Sequence, residues 1–370
     1  MPFNSLDFLF FLPIVVALHF SLPPRWRWFW LLVASYYFYM SWRPIYGLLL
    51  FLTTLIDYVV AIQLGRIEAP TARRLWLWVS LATNLGMLFY FKYYNFVTDS
   101  LNHLLSWTQA PVQLPQLDVV LPIGISFYVL QTLGYTIDVY RRRLAPEHHL
   151  GIFMLYVSFF PQLVAGPIER AGHLLPQLRQ KHAFDAQRAG SGLVLMAWGF
   201  FKKLVIADNL AFYIDPVFAD PAKHNGFLVL LAAYFFAFQI YCDFSGYSDI
   251  AIGCARIFGV DLMQNFRRPF LSTSMREFWR RWHISLTTWF RDYIYFPLGG
   301  SRGVSEARKD ANLFAVFALS GLWHGAQWTY VIWGVLNGCY VLIGKWTKAD
   351  QWASAGSWRP LRQLIGMVVV

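Results

Sequence analysis

The sequence predicts an all-α polytopic membrane protein of about eight to eleven membrane segments, some of them re-entrant or broken helices. Three observations carry that reading. The 370 residues are 57% hydrophobic and only 14% charged, with a mean hydropathy of +0.41, too apolar for an ordinary soluble domain. Apolar runs recur along the whole chain. Basic residues gather in short clusters, the pattern of cytoplasmic loops in a membrane protein.

The apolar runs cover roughly 7–20, 28–41, 45–63, 75–91, 119–137, 150–165, 191–207, 226–241, 311–322, 328–344 and 361–370. About 20 apolar residues cross a bilayer, so the shorter runs predict half-helices, re-entrant segments or spans completed by their flanks. The first run lacks a small-residue cleavage pattern after it and leads straight into the second, so it is expected to stay as a helix rather than leave as a signal peptide. No linker or internal repeat stands out, and the default is one integral domain over 1–370. The end at LIGMVVV, inside an apolar run, reads as a truncated span.

The net charge of +11 does not point to nucleic acid. Its clusters, Arg25–Arg27, Arg73–Arg74, Arg141–Arg143, Arg179–Lys181, Lys202–Lys203, Arg267–Arg268, Arg276–Arg291 and Arg302–Lys309, are read as connections between spans, those from Arg141 onward mostly cytoplasmic. Segment 92–118 is the best candidate for an exterior loop. Cys242, Cys254 and Cys339 have neither disulfide nor metal-ligand spacing, so they read as packing residues and no metal is expected.

Four stretches depart from plain membrane helix. In VVLPIGISFYVLQTLGYTIDVYRRR (119–143), Pro122 and Gly124 interrupt an apolar run that ends in an Asp138, Tyr140 and arginine cluster. In FFPQLVAGPIERAGHLLPQL (159–178), three prolines and Gly166 predict a segment that breaks or re-enters. In YCDFSGYSDIAIGCARIFG (241–259), Asp243 and Asp249 are expected to be structural polar residues, each paired with a cation, often arginine. In 265–300, a helix starting near Ser272–Ser274 and ending before Pro297 would place Arg276, Arg280, His283, Thr287 and Arg291 on one stripe, with Phe278, Trp282, Trp289 and Phe290 mainly on other faces. Such a stripe can receive a phosphate-bearing ligand, or it can anchor the chain at the interface.

The sharpest candidate is His324, in SGLWHGAQWTYVIWG (320–334). No Asp, Glu, Lys or Arg occurs from Ala311 to Gly344. A histidine held away from charge stays a neutral imidazole that can accept a proton, as a general base must. Gly321 and Gly325 permit close approach of backbone or substrate. Trp323, Gln327, Trp328 and Asn337 supply polar edges without charge. The bland alternative is a satisfied core histidine.

The motifs LPIGISFY, LVAGPIER, YCDFSGYSDIAIG, NFRRPF followed by EFWRRWHISLTTWFRDYIYFPLGG, and SGLWHGAQWTYVIWG stand in an order and spacing that resembles the membrane-bound O-acyltransferase (MBOAT) family. Within it they resemble the alginate O-acetylation branch and its peptidoglycan and cellulose relatives. The resemblance runs from the first apolar helix to residue 344. It implies helices around a central tunnel, acetyl-CoA as cytoplasmic acyl donor with no bound cofactor, and location in the bacterial inner membrane. It maps the histidine of the WHG motif onto His324 and that of RRWHISL onto His283. Acyl transfer from a thioester needs a hydroxyl nucleophile, a base and a group that polarises the carbonyl. His324 is the candidate base and His283 ranks second. Arg276, Arg280, Thr287, Arg291, Trp323, Gln327 and Asn337 would line the donor tunnel. The expected partners are a polysaccharide acceptor and an extracytoplasmic SGNH-type acetyltransferase that receives the acetyl group. A transporter or flippase, using His324, Asp243 and Asp249 as a proton relay, and a noncatalytic subunit of an export complex are the competing readings.

Overall fold

The computed structural model describes residues 1–108, 112–164, 166–301 and 303–347. The expected apolar run 361–370, the truncated end and Arg302 lie outside the described residues. Within them the chain is helical and contains no strand. In order the helices are α1 (Leu6–Ser21), α2 (Pro24–Met40), α3 (Ile45–Arg66), α4 (Pro70–Leu88), α5 (Tyr94–Trp107), α6 (Ile125–Tyr140), α7 (Leu150–Ser158), α8 (Phe160–Leu163), α9 (Ala171–Arg179), α10 (Ala186–Phe200), α11 (Asp208–Ala219), α12 (Gly226–Ile257), α13 (Met275–Arg281), α14 (Ile284–Phe290), α15 (Glu306–His324) and α16 (Trp328–Trp346). Three π-helical turns, Phe89–Tyr93, Phe201–Ala207 and Arg291–Tyr295, continue α4, α10 and α14.

Among the described residues, three helices are long and apolar enough to cross a membrane by themselves: Ile45–Arg66, Ala186–Ala219 and Gly226–Ile257. Leu6–Ser21 is a shorter apolar helix. Segment 92–118, expected as a loop, is helical through Trp107.

The chain packs as two compact units. The first comprises Met1–Thr54 and Glu147–Arg267. Its core is aromatic: Phe11 and Phe160 meet edge to face at 5.2 Å, and Phe160 meets Phe258 at 6.0 Å. α10 and α12 approach through glycines. A Cβ on Gly199 would stand 2.6 Å from the Gly246 carbonyl oxygen, so the backbones touch because neither residue has a side chain. This contact brings Lys202 and Lys203 against α12. Lys202 pairs with Asp249 at 2.7 Å, and Lys203 with Asp243 at 2.5 Å and Asp208 at 2.8 Å. The two aspartates thus have cationic partners, but the cations are lysines, not arginines. Lys202 and Lys203 sit inside the continuous helical stretch Ala186–Ala219 and not in a connection between spans. A carboxylate on a membrane helix requires a cation inside the bundle, and the lysines answer that need. The segment 159–178 is broken as expected, into α8 and α9. The Phe160 N–H at the start of α8 donates to Ser35 Oγ at 3.1 Å.

The second unit comprises Leu55–Pro146 and Arg268 onward. α3, α4 and α6 are joined by a buried polar hub. Ser80 Oγ donates to Asp57 Oδ1 at 2.5 Å, Asn84 Nδ2 to Asp57 Oδ2 at 2.9 Å, and Thr132 Oγ1 to Asn84 Oδ1 at 3.1 Å. Gly124, at φ +76°, turns the chain into α6, which is why the interruption in LPIGISFY ends at that residue. α6 receives α14 and its π-turn: Trp289 Nε1 donates to the Leu130 carbonyl and Tyr293 OH to Asp138 Oδ2, each at 2.7 Å. α15 packs on α16 through Gly321 and Gly334, whose Cα atoms each lie 2.9 Å from a Cβ built on the other.

Candidate active site

His324 is the last residue of α15. Gly321 and Gly325, expected to admit backbone or substrate, admit protein. A side chain on Gly321 would strike the Tyr330 carbonyl and Gly334, and one on Gly325 the Tyr330 ring. The turn after His324 is therefore closed against α16, and the imidazole is presented to one side. Trp333 caps it edge to face at 5.2 Å and Trp323 at 5.0 Å.

His283 reaches the same pocket by a route that helical spacing did not foretell. No single helix runs through 275–296. α13 ends at Arg281, Trp282 is extended, and His283 adopts a left-handed backbone at φ +42° before α14 begins at Ile284. The proposed stripe of Arg276, Arg280, His283, Thr287 and Arg291 does not exist as one helical face. A left-handed residue costs a non-glycine side chain about 1 kcal/mol or more and persists where its surroundings hold it. Here those surroundings place the imidazole, 2% exposed, with its centroid 6.1 Å from those of both His324 and Trp323. Phe127 of α6 completes the aromatic wall, 5.5 Å from Trp323 and 6.3 Å from His283. Trp323 is buried, and its indole N–H has no acceptor among the described residues.

Four contributors, Phe127 among them, were not anticipated. Lys92, on the π-turn after α4, donates from Nζ to the Trp323 carbonyl and, at 3.2 Å, to Ser126 Oγ. Tyr93 OH donates to the Leu322 carbonyl at 3.1 Å. Ser126 and Phe127 both lie in the LPIGISFY motif, which is their only sequence signal. Lys92 carried none beyond being a lone cation at the end of an apolar run.

The other candidates make their contacts elsewhere. Thr287 Oγ1 donates to the Trp282 carbonyl at 3.3 Å, and Asn337 Nδ2 to the Trp333 carbonyl one turn back at 2.8 Å. Gln327 is exposed, as are Arg276, Arg280 and Arg291. Arg291 Nε pairs with Asp292 at 2.8 Å. Asp243 and Asp249 belong to the first unit, with the lysine partners already described. Among the described residues no group of histidines, cysteines and carboxylates could hold a metal ion.

Two histidines, one at the break between α13 and α14 and one at the end of α15, enclosed by tryptophan and phenylalanine with a lysine alongside, form a centre suited to moving a proton in a water-poor place. The sequence model of the membrane-bound O-acyltransferase family matches residues 116–365, a stretch containing both histidines. The chain belongs to the membrane-bound O-acyltransferase family. As a member it is an acyltransferase of the membrane, and the helical fold of its described residues agrees. It is 41% identical over 377 residues to "Probable alginate O-acetylase AlgI" of Azotobacter vinelandii, covering 100% of this chain and 73% of that one. It is 43% identical to the protein of the same name in Pseudomonas aeruginosa, covering 93% of this chain and 66% of the relative. It is 35% identical to "Peptidoglycan O-acetyltransferase" of Helicobacter pylori, covering 91% and 69%. The chain thus spans about two thirds to three quarters of the length of these relatives.

Proposed function

We propose that this protein takes an acetyl group from acetyl-CoA on the cytoplasmic face of the bacterial inner membrane and passes it across for O-acetylation of an extracytoplasmic polysaccharide. The observation that carries the reading is the meeting of His283 and His324 in one aromatic pocket, their rings 6.1 Å apart. The acetylase and acetyltransferase names of the relatives support acetyl as the acyl group and a polysaccharide as the final acceptor.

In this reading His324 takes the proton of the attacking hydroxyl, and His283, fixed by its left-handed backbone, orients the thioester or shares that proton. The aromatic wall excludes water, which would otherwise hydrolyse the donor. Arg280 and its neighbours attract the phosphates of CoA. A multi-pass chain gives the acetyl group a path through the bilayer, and an SGNH-type acetyltransferase outside receives it and places it on the polymer.

The test is incubation of the purified protein with radiolabelled acetyl-CoA and a hydroxyl acceptor. Wild type should consume the thioester, and His324→Ala, folded and inserted, should not. Equal consumption by the two would refute the assignment. Efficient polymer acetylation by vesicles holding this protein alone would refute the handover to a second transferase.

A further inference from the structure

We propose that Lys92 is the anion-stabilising group of the acyl-transfer centre, supplying the positive charge that the tetrahedral oxyanion needs. The inference rests on the acyl-transfer reading and extends it to a residue that neither motif contains.

The geometry begins with the end of α15. The last carbonyls of a helix have no partner within it and carry its partial negative charge. Two of them here, those of Leu322 and Trp323, are capped by consecutive residues of the π-turn Phe89–Tyr93: Tyr93 OH serves Leu322, and Lys92 Nζ serves Trp323. The tyrosine shows that this job can be done by a neutral hydroxyl. Placing an ammonium beside it, inside an apolar unit, adds a desolvation cost that capping does not require. No carboxylate pairs with Lys92 among the described residues. Its remaining surroundings are Ser126 Oγ at 3.2 Å and two aromatic faces, Trp323 at 5.5 Å and Tyr93 at 5.6 Å. An ammonium has three N–H bonds, and Trp323 O and Ser126 Oγ take two. The third has no acceptor, and the charge no carboxylate partner, among the described residues. An uncompensated cation bonded to the residue next to His324 is arranged for an anion that arrives with the reaction.

Thioester acyl transfer makes such an anion. The hydroxyl oxygen of the acceptor attacks the carbonyl carbon and forms the C–O bond, while its proton passes to the unprotonated nitrogen of His324. The carbonyl π pair moves onto oxygen, and this oxyanion receives the free Lys92 N–H. On collapse the pair returns to form C=O, the C–S bond breaks with its electrons on sulfur, and the proton on His324 moves to the thiolate. Ester and thiol result, and His324 and Lys92 are unchanged.

The experiment compares kcat and equilibrium acetyl-CoA binding in wild type, Lys92→Gln and Lys92→Arg of the full chain in detergent or nanodiscs. Glutamine keeps an N–H donor for the Trp323 carbonyl but removes the charge, so it separates cap from cation. Loss of one oxyanion donor costs about 10²–10³ in turnover. The expected result is a fall in kcat of about 100-fold for Lys92→Gln with acetyl-CoA binding held within about threefold, and less than about tenfold loss for Lys92→Arg. Lys92→Gln turning over within about threefold of wild type would overturn the proposal. Should that variant not fold, Lys92→Arg decides: a kcat loss beyond about 100-fold with normal acetyl-CoA binding would show that the shape of the cap matters and not the charge. A wild type that binds acetyl-CoA but never cleaves it overturns the acyl-transfer reading, and the assignment of Lys92 with it.

Discussion

The imidazole of His283 faces the same pocket as that of His324 at 6.1 Å, although one stands at a left-handed break between two short helices and the other at the end of a nineteen-residue helix. If the two act on one proton, their losses do not add. His324→Ala should lower turnover by about 10²–10⁴, His283→Ala by less, and the double variant by little more than His324→Ala alone. Rates for the three variants, with acetyl-CoA in excess, check this. Multiplicative losses would mean that the histidines serve separate steps.

Much of this architecture is legible in the sequence because the signals are local. Proline and glycine announce the turn at Gly124 and the broken segment 159–178, and a charge-free window announces His324. The break at His283 is hidden for the converse reason. RRWHISL contains neither glycine nor proline, so nothing local stops a helix there; packing of His283 against Phe127, Trp323 and His324 outweighs helical propensity. Lys202 and Lys203 were misplaced because a basic pair reads as a loop when carboxylates that pair with it stand on another helix, as Asp243 and Asp249 do; Asp208, five residues after Lys203, gave too weak a signal alone. Lys92 was missed for want of any motif: its meaning lies in the Trp323 carbonyl, which only the fold supplies.

The loss of the continuous stripe changes what the arginines should do. Arg291 is already engaged by Asp292, whereas Arg280, exposed at the end of α13, pairs with no carboxylate among the described residues. Arg280→Ala should therefore raise the KM for acetyl-CoA by about three- to tenfold with kcat little changed, and Arg291→Ala should have a smaller effect. Steady-state kinetics with acetyl-CoA as the varied substrate discriminate the two. Equal affinity in both variants and wild type would return the arginines to the role of interface anchors.

The closure of α15 on α16 depends on missing side chains. A Cβ on Gly334 would lie 2.5 Å from the Phe317 carbonyl oxygen and 2.9 Å from Gly321 Cα, both backbone atoms that cannot step aside. Gly334→Ala should cost about 1–3 kcal/mol and lower the melting temperature, and Gly321→Ala should do the same. Gly86→Ala, in α4 where nothing lies within 4 Å of the added carbon, is the control and should not lower the melting temperature. Because Gly321 stands one turn before His324, activity in the surviving folded fraction should fall as well. A melting temperature unmoved by either substitution would contradict the close approach.

In the first unit, the nine-residue helix α9, too short to span a bilayer, carries a polar contact whose strength depends on pH. His173 Nδ1 lies 2.8 Å from Glu169 Oε2, and the carboxylate also accepts from the Met263 N–H at 2.5 Å. The hydrogen bond to Glu169 is the largest influence on His173 and raises its pKa above the usual 6.5; partial burial opposes this, and the charges of Glu169 and Asp261 reinforce it. The folded state therefore holds the His173 proton more tightly than the unfolded chain does. Its contribution to stability is fully present below about pH 6.5 and is lost as pH rises through the higher folded value. His173 is 44% exposed, so solvent screening keeps the effect modest. Melting temperatures of wild type and His173→Gln, measured across about pH 5.5–9, should differ most at the acidic end and converge at the alkaline end. A constant difference across that range would show that His173 and Glu169 meet without exchanging charge.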